Sequence, residues 1–230
     1  MDYNVTILIP SYNRARFSRL ITHNINIQTY PSISQIIIYD DGEERCDLSG
    51  CKYPVKYVTS KTRASIGAKR NYLISLAETG YCAFMDTDDM YSPDYIAHSM
   101  TRLYESGKSV CGTSDMFLYS KGVTYHQRCM FLDYLNEATL VFKRKHKGSF
   151  RSANSSEGVG FLQGYIGEIV ESDINKVMVC IVRDSNTVPK QAWCKEIYSC
   201  DFNILNQYRE HIIIMTQMTQ MTQVFETLRR

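Results

Sequence analysis

Three short, unbroken apolar runs constrain this chain more than any other feature: VTILI at 5–9, QIIIY at 35–39 and YCAFM at 81–85. A run without polar alternation suits a strand covered on both faces, as in a parallel sheet. Each run closes on reactive or charged residues. The first is followed by Pro10, Ser11, Tyr12, Asn13 and Arg14, the second by Asp40, Asp41 and Gly42, the third by Asp86, Thr87, Asp88 and Asp89. Ligands of α/β sheets bind beyond the carboxyl ends of the strands, so three loaded ends are expected to meet in one crevice.

The segments between these runs read as helices. Phe17, Leu20, Ile21 and Ile25 (or Asn24) fall at helical spacing, with Ser11 or Asn13 as N-cap. A helix opening at Gly67 turns Tyr72, Leu73, Leu76 and Ala77 inward and stops at Gly80. Ser92, Pro93 and Asp94 supply a cap, a first-turn proline and an acid on the dipole for a helix through Ile96, Met100 and Leu103 to Gly107. With VKYVT at 55–59 as a further strand, the order predicts an α/β fold.

The second half is less regular. SVCGTSDMFLYS, VTYHQ, TLVFKR and KVMVCIVR predict strands, with a helix in SSEGVGFLQGYIGE. No boundary divides the chain, so one domain over 1–230 is expected. In its tail, Met215, Met218, Met221, Phe225 and Leu228 line one helical face. That stripe suits core packing, or a partner- or membrane-facing helix. The absence of a helix stop leads us to expect further domains beyond it.

A net charge of +2 offers no field for nucleic acid or an anionic membrane. The stretch VFKRKHKG at 141–148 is either a local basic patch or a solvated strand end and turn. None of the eight cysteines forms a C-x-x-C pair, which argues against zinc and for a reducing compartment. The opening MDYNVTILIP lacks a basic lead, and its apolar part is too short for a signal peptide or a transmembrane segment. A cytoplasmic protein is expected.

The third strand end carries the sharpest signal. Aspartates titrate at about pH 4 when free, so Asp86 and Asp88 should both be anionic at neutral pH. Neighbouring carboxylates repel unless a cation sits between them. Mn²⁺ and Mg²⁺ prefer carboxylate oxygen and are commonly shared with substrate phosphates. The D-x-D alternation aims Asp86 and Asp88 the same way in extended backbone and sends Asp89 elsewhere.

VTILIPSYNR, IIIYDDG, SIGAKRN and FMDTDDMYSPDYI stand in the order and spacing of family 2 inverting glycosyltransferases, which the chain resembles. The resemblance covers residues 4–105 well and 138–190 loosely. It implies the GT-A fold, a Rossmann-like α/β architecture whose central, mostly parallel sheet is flanked by helices. A nucleotide-sugar-binding half at 1–106 would precede an acceptor-side half at 107–200 and a helical tail at 201–230. It also implies a UDP-sugar donor, a glycan or other hydroxyl acceptor, and Mn²⁺ or Mg²⁺ as cofactor. UDP-glucose is the reference donor, with UDP-rhamnose and UDP-galactose open.

Carried over by position, the resemblance puts Pro10, Tyr12 and Arg14 along the nucleotide pocket and Asp40, helped by Asp41, at the uracil N–H. Asp41 with Gly42 could equally make a turn. Gly67 would permit close backbone approach, and Arg70 would lie near the diphosphate or the pocket acids. Asp86 and Thr87 would meet the substrate, Asp86 also through metal-bound water, and Asp88 would bind the metal. Relatives commonly carry an acidic pair at a helix start on the acceptor side. Here Glu157 is present and Gly158 replaces the second acid. Glu157 is therefore expected as general base, with Asp115 and Glu137 as the next candidates. Where relatives often carry a His as a further metal ligand, this chain has Arg183 and Asp184: Asp184 could substitute as an oxygen ligand, or Arg183 could compensate phosphate charge without metal.

Rival classes fare worse. A dehydrogenase needs G-x-G-x-x-G after its first strand, where this chain has PSYNRAR. A phosphotransferase with a strand-end aspartate nucleophile needs that acid at the first strand, which ends here on Pro-Ser-Tyr. A catalytically weak nucleotide-sugar-binding domain stays open because of Gly158 and the missing His.

Overall fold

The computed structural model describes residues 3–120, 123–128, 134–145 and 148–183, together with 186, 190 and 194. The tail stripe at 215–228 and Asp184 lie outside the described residues. In chain order the elements are β1 (Val5–Ser11), α1 (Ser18–Asn26), β2 (Ile33–Asp40), β3 (Val55–Thr59), α2 (Ile66–Leu76), β4 (Tyr81–Phe84), β5 (Met90–Tyr91) and α3 (Tyr95–Ser106). They continue as β6 (Val110–Gly112), β7 (Asp115–Ser120), β8 (Val123–Arg128), β9 (Val141–Lys143), α4 (Gly158–Gln163), β10 (Ile169–Glu171) and β11 (Met178–Ile181).

A seven-stranded sheet runs β10-β6-β9-β4-β1-β2-β3, and a four-stranded sheet runs β5-β11-β7-β8. In the large sheet only β9 is antiparallel to its neighbours. The expected mostly parallel α/β architecture is therefore present. All seven residues of β1 are buried, as a strand covered on both faces must be. Ile7 and Ile9 meet Leu20, Ile21 and Ile25 of α1 and Ile96, Met100 and Leu103 of α3. Leu8 meets Leu73 and Ile74 of α2 and Phe161 and Leu162 of α4 on the other face. Each fully buried aliphatic side chain contributes roughly 1.5–3 kcal/mol.

SVCGTSDMFLYS breaks into β6 and β7, which belong to different sheets. The break follows Gly112, where a Cβ would come 2.9 Å from Leu140. The chain leaves the large sheet at Thr113 and Ser114, where Thr113 N–H donates to Thr139 Oγ1 at 3.0 Å. The two sheets still share one core, because Tyr91, Leu118 and Met178 join the cluster built on β1.

Three helix boundaries differ from the sequence expectation. Neither Ser11 nor Asn13 caps α1, which is preceded by a 3₁₀ turn at Ala15–Phe17 with no side-chain cap. Asn13 instead takes a left-handed conformation (φ 52°) and accepts from the Glu43 N–H at 2.9 Å, tying the end of β1 to the loop after β2. α2 is capped by Ser65, whose Oγ accepts from Ala68 N–H, and ends at Leu76, before Gly80. Its Tyr72 is 47% exposed, not inward. The inner face of α2 carries Lys69 and Arg70 as well as Leu73 and Ile74, and an apolar periodicity overlooks buried charge. α3 begins at Tyr95, and Ser92 Oγ accepts from Asp94 N–H in the turn before it. It ends at Gly107 as expected, in the left-handed conformation (φ 68°) that glycine adopts without strain.

Candidate functional site

β1 and β4 are neighbours, with β2 on the far side of β1, so the chain order reverses between β1 and β4. A cavity of about 370 Å³ opens at that point, beyond the carboxyl ends of the two strands. Pro10, Tyr12, Arg14, Arg70, Asp86, Thr87, Asp88 and Glu157 all line it. Most of the site residues expected from sequence are thus brought together.

The acidic loop is pinned from behind. Asn24 of α1 donates to Asp89 O at 2.9 Å and accepts from Tyr91 N–H at 3.1 Å. Tyr91, fully buried, accepts from Asp86 N–H at 2.7 Å and donates to Ala138 O. Asp89 turns away from its two neighbours, as the alternation predicts. Its Oδ1 accepts from Ile181 N–H at 2.9 Å, and Lys190 Nζ lies 3.7 Å from its Oδ2. Burial pushes its carboxyl up to about 6, with Lys190 opposing and Asp88 and Asp86 adding to the rise.

Cations balance the two outward acids. Arg14 Nη2 lies 3.4 Å from Asp88 Oδ2. Arg70, 2% exposed, places Nη2 3.1 Å from Asp86 Oδ1 and Nε 3.2 Å from Glu157 Oε1. Burial opposes its charge, but Asp86 and Glu157 outweigh that and raise its pKa. Of the two expectations for Arg70, the contact with pocket acids is the one present. Its Nη1 is buried without a hydrogen-bond partner among the described residues. An unpartnered guanidinium donor holds an anion or a hydroxyl only where such a group can reach it. Arg183 joins this group, donating from Nη1 to Asp88 O at 2.9 Å.

Three expected residues do not reach the cavity wall as anticipated. Asp40 accepts from Gly42 N–H at 3.0 Å and from Tyr57 OH at 2.6 Å. Asp41 accepts from Ala64 N–H at 2.7 Å and pairs closely with Lys69. Neither lines the cavity, and the carboxylate oxygens expected at a uracil are bonded within the protein. Gly67 does permit close approach, but of this chain's own backbone. A Cβ there would sit 1.8 Å from Arg151 O, and its N–H donates to Ala153 O at 3.1 Å. Asn154 Oδ1 accepts from Ile66 N–H, so the 151–157 loop covers the N-terminus of α2.

Glu157, expected as general base, is buried and bound to Arg70. Asp115 faces His126 at 2.9 Å on the second sheet and does not line the cavity. Glu137 does line it, and its carboxylate reaches the N-terminus of α4. Sequence reasoning kept Glu137 only as a fallback, because nothing in NEATL marks an acid that folds back beneath a helix 21 residues later. Lys69 was missed, although it adjoins Arg70 in SIGAKRN. Burial lowers its pKa, and Asp41 opposes that.

Asp86 and Asp88 fit a hard divalent cation by donor chemistry, provided diphosphate oxygens and water complete its shell. Among the described residues no three or more His, Cys, Asp or Glu side chains gather as a protein-only cage. No helix among them is long and apolar enough to cross a membrane.

The sequence model of the family described as Glycosyl transferase family 2 matches residues 6–161. Glycosyltransferase GlyA of Streptococcus pneumoniae serotype 4 is 26% identical over 132 residues, covering 54% of this chain and 19% of GlyA. Among solved structures, S. aureus TarS 1–349 in complex with UDP-GlcNAc superposes with a TM-score of 0.65 at 16% identity, over 92% of this chain and 66% of that one. The mannosyltransferase PcManGT from Pyrobaculum calidifontis, in complex with GDP-Man and Mn²⁺, gives 0.58 at 16% identity, over 83% of this chain and 59% of that one. The chain thus spans about a fifth of GlyA, and at these identities the structural likeness establishes the fold. From the matched residues and the shared architecture, the chain belongs to glycosyl transferase family 2 and has the GT-A fold.

Proposed function

We propose that the chain moves a sugar from a nucleoside diphosphate donor to a hydroxyl of a glycan or other acceptor, with inversion at the anomeric carbon. One observation carries this reading: carboxylates and guanidinium groups from β1, α2 and the end of β4 converge on a single cavity. Asp86 and Asp88 would hold Mn²⁺ or Mg²⁺ there. When bound, that cation supplies charge stabilisation to the departing diphosphate. Arg14 is placed to bind phosphate oxygens or sugar hydroxyls, and Arg70, which also lines the cavity, has its unpartnered Nη1 buried rather than open to it. Glu157 belongs to the acidic wall that receives the acceptor's proton, and proton acceptance at such a site contributes roughly 10²–10⁴-fold. Holding donor and acceptor together supplies much of the remainder.

Uridine is the favoured nucleotide, supported by the TarS complexes with UDP-GlcNAc and with UDP. Tyr12, with the Arg63 guanidinium 4.0 Å above its ring, offers a stacking surface for the base. Asp40 and Asp41 would act from behind, holding Tyr57, Ala64 and Lys69 in place around it. UDP-glucose is the first donor to test, then UDP-rhamnose, UDP-galactose and UDP-GlcNAc. Incubation with Mn²⁺ and each donor should release UDP. UDP binding without release from any donor would favour a nucleotide-sugar-binding domain instead.

A further inference from the structure

The first residue of α4 is Gly158, which follows the ion-paired Glu157. The space its side chain would occupy is filled. A Cβ at 158 would lie 2.5 Å from Glu137 Cγ and 2.7 Å from Glu137 Oε1. Glu137 thus puts a carboxylate where a longer residue at 158 would carry its own. It arrives from a different segment, the 3₁₀ turn Glu137–Thr139 that leads into β9. That turn is fixed: Asn136 caps it through Ala138 N–H and donates its own N–H to Thr113 O at 2.9 Å.

We propose that Glu137 is the carboxylate that takes the acceptor's proton, and that Glu157 is a positioning residue held by Arg70. The inference rests on the transferase reading above. The hydroxyl O–H bond breaks and its proton joins a Glu137 oxygen. The hydroxyl oxygen forms the new bond to the anomeric carbon. The bond from that carbon to the β-phosphate oxygen breaks, and its electron pair leaves with the nucleoside diphosphate.

Two features separate the carboxylates. Protonating Glu157 would break a buried ion pair with Arg70, which is costly. Glu137 makes neutral bonds only: its Oε1 accepts from Gly158 N–H at 3.0 Å and from Tyr134 OH at 3.1 Å, and its own backbone N–H also bonds to the carboxylate. No other described residue bonds to Oε2. A proton arriving there keeps both Oε1 bonds and removes the repulsion from Glu157. Burial and the Glu157 charge raise the Glu137 pKa, with Arg70 opposing, which suits a group that must hold a proton.

The test uses UDP-glucose, UDP-galactose and UDP-GlcNAc with Mn²⁺ and water as acceptor, reading free UDP. Water needs the same proton acceptor as a sugar hydroxyl. Glu137→Gln should cut release by about 100-fold or more, abolish the rise of rate with pH, and leave UDP affinity within about twofold. Glu137→Ala with Gly158→Asp should recover at least about tenfold over Glu137→Ala alone. The shortened side chain clears the space, and residue 158 does not have a left-handed φ that would resist substitution. Release by Glu137→Gln within about threefold of wild type, with its pH limb intact, overturns the assignment. Wild-type protein that neither binds UDP nor releases it sinks the transferase reading, and the inference with it.

Discussion

Arg70 Nη2 stands 3.1 Å from Asp86 Oδ1, so a helix side chain that is 2% exposed reaches into the acidic loop after β4. Its Nε holds Glu157 on the opposite wall. One guanidinium therefore joins the acid after β4 to the acid before α4.

Replacing Arg70 by Met should leave two carboxylates without their shared counter-ion. Removing one partner of a buried pair typically costs about 3–5 kcal/mol. Urea denaturation should show a loss of that size, and UDP should restore little of it because the site itself is disrupted. A loss below about 1 kcal/mol would contradict the bridging role.

Gly67→Ala tests which backbone the glycine admits. The added methyl would collide with Arg151 O and crowd Glu157 Cβ at 3.1 Å. The 151–157 loop must then shift, at a cost of about 1–3 kcal/mol. Thermal melting without nucleotide should fall, and UDP should not change the deficit. A variant of normal stability that binds UDP poorly would instead return Gly67 to the nucleotide.

The strands and the crevice were legible because apolar runs and their polar ends are local signals. VTILI, QIIIY and YCAFM each became a buried strand, and the acids after YCAFM all border the cavity, with Asp89 the most buried and tied to Ile181 N–H and Lys190. Contacts between distant segments left no such trace. Asp40 looked available for a base, but Tyr57, 17 residues later, takes one of its oxygens. Glu137 reaches Gly158 across 21 residues, and only the folded chain shows that the glycine makes room for it. Lys69 and Arg70 were hard to place because their burial depends on carboxylates supplied by other elements.

Asp88→Asn addresses the cation. Wild-type UDP affinity should rise with Mn²⁺ if Asp88 offers oxygen ligands beside the proposed diphosphate site. The amide loses a charge and an oxygen donor, so that tightening should vanish while binding without Mn²⁺ persists. Isothermal titration with and without Mn²⁺ reads both terms. An unchanged Mn²⁺ dependence would remove Asp88 from the ligand set.

Glu137→Gln has a stability signature apart from catalysis. The folded-state pKa of Glu137 is raised above its ordinary value of 4.5, by burial first and by Glu157 second, against Arg70. A raised carboxyl pKa means the native state holds the proton more tightly than the unfolded state. That contribution is full below pH 4.5 and fades as pH rises through the folded value. Gln mimics the protonated form at every pH. The melting temperature of the variant should therefore gain on wild type between about pH 5 and about pH 8, with the advantage largest at the alkaline end. Lys69 and His98 shift in both proteins alike and cancel in the difference. An advantage that is flat with pH, or larger in acid, would mean that Glu137 is already charged at no cost in the folded chain.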